Sequence, residues 1–208
     1  MKRVIVLWVV IFGLVSKANA QDMDSLLMSL EATSENVEMP LLPDKMMFTQ
    51  RVFWGEKGLL RVTGIMPLTE ANRVKELKIR RTMLISHQVL GYATFVGMIA
   101  QGFVGQRLYT GHENMKGLHE GLAGAVNIGY FTDAGLSLFS PPPLIHKQFK
   151  GLNSIKAHKI LASVHLTAMI ATNVLAGKAE DPKWAPVHRA AAFTAFGAFA
   201  GAMFVMTF

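Results

Sequence analysis

The chain has 208 residues, of which 51% are hydrophobic and only 17% charged, a balance too apolar for an ordinary soluble domain of this size. It contains no cysteine, which excludes disulfides, thiolate nucleophiles, iron–sulfur clusters and thioether-linked haem, and leaves His and carboxylates for any metal. The net charge of +7 invites a nucleic-acid partner, but the Lys and Arg residues stand in short runs beside apolar segments, where anionic lipid is the better partner. Membrane lipid, and no nucleic acid, is the expectation.

In chain order, residues 1–20 read as a cleaved secretory signal peptide: Lys2 and Arg3, an apolar run from Val4 to Val15, and the small-x-small site Ala18-Asn19-Ala20. Residues 21–81 form an exported leader and an interfacial amphipathic segment. Within it FTQRVFWGEKGLLRVTG sets Phe48, Val52, Phe53 and Trp54 beside Arg51, Lys57 and Arg61, a mixture suited to a headgroup layer. Thr69 is placed to cap a helix that runs through TEANRVKELKIRR into the first apolar span as one continuous element.

Residues 82–208 are expected to be a four-helix transmembrane domain with spans at 82–106, 118–139, 157–177 and 186–208. The second is stopped by Pro141-Pro142-Pro143. The expected fold class is all-α: an integral membrane four-helix bundle, multi-pass, in the cell inner membrane. Successive spans reverse direction, so His87 and His158 share one end of the bundle, and His119 and His188 share the other. Charge inside a membrane span is costly and marks a functional position. Two imidazoles facing each other at one depth suit the axial positions of a haem iron, and the residues one turn away are small: Gly91, Ala123, Gly124, Ala162, Ala191 and Ala192. The expectation is a pair of b-type haems, with Arg80, Arg81, Lys156, Lys159 and Arg189 at the edges to meet propionates. His165 competes with His158 by depth, but His158 and His87 each lie twenty residues before a cation at the far face, Lys178 and Arg107, which favours His158.

His112 and His146 read as solvated loop groups, and the pairs His112-Glu113 and His119-Glu120 as a weak non-haem metal alternative. Asp133, with Asn127 a turn and a half before it, either relays protons or bonds a neighbouring helix.

The stretches LHEGLAGAVNIGYFTDAGLSLFSPPP and AHKILASVHLTAMIATNVLAG resemble core helices of the cytochrome b561 family, a resemblance that runs from His87 to the C-terminus. It implies haem ligation by His87, His119, His158 and His188, and a transmembrane electron-transfer oxidoreductase served by a redox partner protein or a small electron donor or acceptor. Glu120 in place of the family's Ser and the added N-terminal segment depart from that pattern. Two competing readings remain: a non-haem metal or proton transporter, and a structural membrane subunit of a redox complex in which the histidines are satisfied core groups.

Overall fold

The computed structural model describes residues 40–144, 151 and 153–207. The signal peptide, the leader up to residue 39, and His146 lie outside them. Among the described residues six α-helices follow in order: α1 Phe48–Trp54, α2 Leu59–Val62, α3 Glu70–Tyr109, α4 Lys116–Leu138, α5 Ser154–Ala176 and α6 Ala185–Thr207, with a 3-10 turn at Glu113–Met115 ahead of α4. No strand occurs among the described residues.

Three of these helices, α3, α5 and α6, are long and apolar enough to cross a membrane, so the chain is an all-α, multi-pass membrane protein. The fourth expected span, α4, has 23 residues but carries Lys116, His119, Glu120, Asn127 and Asp133, and it falls outside that group. At a rise of about 1.5 Å per residue, the 40 residues of α3 extend roughly 60 Å, about twice a hydrocarbon layer. Its first three turns are therefore an aqueous extension of a membrane helix, as the charge pattern before Thr82 requires. The Thr69 hydroxyl accepts from Asn72 N at 3.3 Å and starts the helix. At α5 the Asn153 side chain does the same for Lys156 N at 2.8 Å. After α3 the chain turns back through Gly111, whose φ of +94° suits a residue without a Cβ.

The closest backbone packing lies between α3 and α4. A Cβ at Gly97 would come within 3.1 Å of Val126, one at Gly129 within 2.8 Å of the Thr94 hydroxyl, and one at Gly105 within 2.9 Å of the His119 ring. In lipid no hydrophobic effect drives helices together, and small residues let dispersion and polar contacts do so. The apolar centre gathers Met98, Val126, Tyr130, Ala168, Met169, Ala195 and Phe199 from all four long helices. Phe95 stacks on Phe196 there with ring centroids 5.3 Å apart.

Before α3, the short helices are tied down by buried charge. Glu76 is 0% exposed and pairs with Arg61 through one carboxylate oxygen and with Arg73 through the other. Arg73 also donates to Leu41 O at 2.7 Å and Pro142 O at 3.2 Å, and Arg61 to Trp54 O at 3.2 Å. An unpaired buried charge costs several kcal/mol in roughly any setting, so each guanidinium is spread over several acceptors.

Replacing Gly97 by Leu is expected to lower the stability of the detergent-solubilised protein by about 1–3 kcal/mol through overpacking against Val126. Leu at Gly102, where a Cβ meets no atom within 4 Å, is expected to be tolerated; thermal unfolding of the two variants makes the comparison.

Candidate functional site

The polar groups inside the long helices fall into two sets. In the half nearer residues 80 and 140, His87 from α3 and His158 from α5 lie with ring centroids 6.4 Å apart and planes at 84°. The two rings stand at one depth but meet edge to face. His87 Nδ1 lies 3.0 Å from the backbone oxygen of Asp133 on α4, and His158 Nδ1 lies 2.9 Å from that of Ala202 on α6. A carbonyl oxygen only accepts, so both rings carry their hydrogen on Nδ1 and donate it to a neighbouring helix. The buried Asp133 carboxylate flanks the same His87 nitrogen, with Oδ1 at 2.9 Å. Gly91 faces this carboxylate: a Cβ there would lie in ordinary van der Waals contact with Asp133 Oδ2, at 3.5 Å.

His165, the competitor of His158, lies elsewhere. Its Nδ1 shares a hydrogen bond with the Tyr130 hydroxyl, and its ring packs edge-on against Phe199 at 5.1 Å. Tyr130 is almost completely buried, a partner that spacing does not reveal because tyrosine is common in apolar helices for its ring alone.

In the other half, His188 Nδ1 donates to Thr172 O on α5 at 3.0 Å. The His119 ring is held by Gln101 of α3, whose Nε2 lies 3.1 Å from Nδ1 and donates to His119 O at 3.0 Å. Between the two sets, Asn127 of α4 and Asn173 of α5 exchange a reciprocal pair of amide bonds at 2.7 and 3.0 Å.

The edge cations have protein partners or face outward. Arg80 Nη1 donates to Pro141 O at 2.6 Å and reaches Ser140 Oγ at 3.2 Å; Arg189 donates to Gln106 Oε1 at 2.7 Å and lies over the Tyr109 ring at 4.7 Å. Lys156 Nζ donates to Gly151 O at 2.7 Å. Arg81 and Lys159 are exposed. In the loop beyond α5, Glu180 bonds Lys116 at the start of α4, which holds Lys116 above its usual value and Glu180 below the usual carboxylate range. That tie is therefore complete at neutral pH and is lost as pH falls through the depressed value of Glu180.

No group of three or more His, Asp or Glu side chains able to hold a metal ion exists among the described residues. This finding overturns the expectation of two b-type haems held by His87, His119, His158 and His188, and with it the cytochrome b561 resemblance, iron binding, electron transfer and the oxidoreductase assignment. It equally overturns the weak metal site at His112-Glu113 and His119-Glu120. What the rings demonstrably do is bond protein: Nδ1 of three of them is spent on a carbonyl, and the fourth is held by an amide. No family model, curated protein or solved structure matches the chain.

The Asn127–Asn173 pair is expected to show a coupling of about 0.6 kcal/mol, and no more than about 1.7, in a double-mutant cycle with Leu at each position, read from unfolding in mixed micelles.

Proposed function

We propose that this protein is a structural subunit of the cell inner membrane. In this reading four helices cross the bilayer within residues 82–208, an exported leader follows removal of residues 1–20, and the body packs into a larger membrane assembly. The observation that carries it is the set of imidazole bonds: His87 joins α3 to α4, while His158 and His188 join α5 to α6 in opposite directions. In lipid an imidazole N–H without a partner is expensive, and a carbonyl on the next helix both satisfies it and fixes the distance between the helices. The Asn127–Asn173 pair and the Gln101–His119 contact extend the same bracing from α4 to α5 and from α3 to α4. Phe103, Ile128, Val174 and Phe204 turn large apolar side chains outward, as suits helices that face lipid or another membrane helix.

Asn offers a donor at the place of Nδ1, whereas Ala offers none. His158→Ala is therefore expected to cost about 0.5–2 kcal/mol and His158→Asn distinctly less, by thermal unfolding of the purified full chain. His119→Ala is expected to leave the visible absorption and metal content of the preparation unchanged. A stoichiometric bound group that disappears with His119→Ala, or an Asn variant as damaged as the Ala variant, would overturn the structural reading.

A further inference from the structure

Helix α1 is held at one definite height on the membrane domain. Its Thr49 hydroxyl donates to Leu138 O, its Gln50 amide to Ser140 O at 3.2 Å, and Trp54 Nε1 to Phe139 O at 2.9 Å. Phe53 meets the Phe139 ring edge-on at 5.3 Å. The same 140–141 turn receives Arg80, which with Arg81 closes the charged part of α3 ahead of the charge-free run from Thr82. Since α3 crosses the membrane, α1 sits at the level where its apolar stretch starts, which is headgroup depth.

At that depth α1 spends one face on the body and leaves the other open. Phe48 is 79% exposed and Val52 43%, and Arg51 and Lys57 are exposed beside them. With Met46 and Glu56 these residues line an open cleft of about 400 Å³, apolar with two cations and one carboxylate at its rim. An apolar wall topped by a guanidinium and an ammonium is complementary to an acyl chain joined to a phosphate. A zwitterionic headgroup would bring its own cation toward Arg51 and Lys57 and gain less.

We propose that the α1 cleft docks an anionic phospholipid, its phosphate between Arg51 and Lys57 and its acyl chain along Phe48 and Val52. The proposal stands independently of the structural role assigned to the histidines. It ties the short helices to the bilayer surface at the point where the Glu76 network ties them to α3.

The test is a thermal-stability titration of the full chain in detergent with dioleoylphosphatidylglycerol, dioleoylphosphatidylcholine or inorganic phosphate. At about fivefold in affinity for each surface cation, the double variant Arg51→Gln, Lys57→Gln should weaken phosphatidylglycerol binding roughly 25-fold and leave phosphatidylcholine nearly unaffected. Glu56→Gln, which removes the acidic group from the rim, should tighten phosphatidylglycerol several-fold. Equal affinity of the native chain for the two lipids, a phosphatidylglycerol affinity indifferent to both variants, or equally strong binding of phosphate alone would overturn the proposal.

Discussion

A ring nitrogen inside a helix bundle must give its hydrogen to something, and here the acceptor is a backbone carbonyl on the neighbouring helix. His87 to Asp133 O, His158 to Ala202 O and His188 to Thr172 O repeat one interaction at three places. Each bond needs a definite separation between helix axes, so the set spaces the helices as well as joining them. Apolar contacts alone would leave that spacing loosely determined, because lipid competes for apolar surface on nearly equal terms. The glycines of α3 and α4 act with the same constraint: at Gly105 the missing Cβ gives room to the His119 ring, and at Gly129 to the Thr94 hydroxyl.

Outside the apolar layer a different solution holds the chain. The residues before α3 gather around Glu76, and the two arginines that neutralise it also collect carbonyls from residues 41, 54 and 142. The three prolines after α4 are part of this arrangement. They end the helix, and because proline has no N–H but keeps its carbonyl, Pro141 and Pro142 offer acceptors to Arg80 and Arg73. One turn thus links the end of α4 to the charged first turns of α3.

Much of the architecture was legible from residue patterns. Thr69 as a cap, a continuous helix through Arg81 into the apolar run, the stop at Pro141 and the shared depth of His87 and His158 all follow from local chemistry and the helical rise. The role of those imidazoles was not legible. A ring that bonds a carbonyl and a ring that binds a metal occupy the same sequence spacing and both favour small neighbours, so the haem expectation rested on features that serve either. Gln101 and Tyr130 passed unnoticed because one is a lone amide in an apolar run and the other a ring among rings; only the helix rotation brings them to His119 and His165. Glu76 stands in the charged run TEANRVKELKIRR, and nothing local indicates that Arg61, fifteen residues earlier, returns to cover it.

The bonding of the rings can be observed directly. With histidine labelled at its ring nitrogens and each residue assigned by substitution, nitrogen NMR of the protein in micelles should show His87, His158 and His188 protonated at Nδ1, with an Nε2 resonance typical of a bare imidazole nitrogen. Rings found unprotonated at Nδ1, or with Nε2 displaced by a bonded group, would contradict the account in which protein carbonyls hold them.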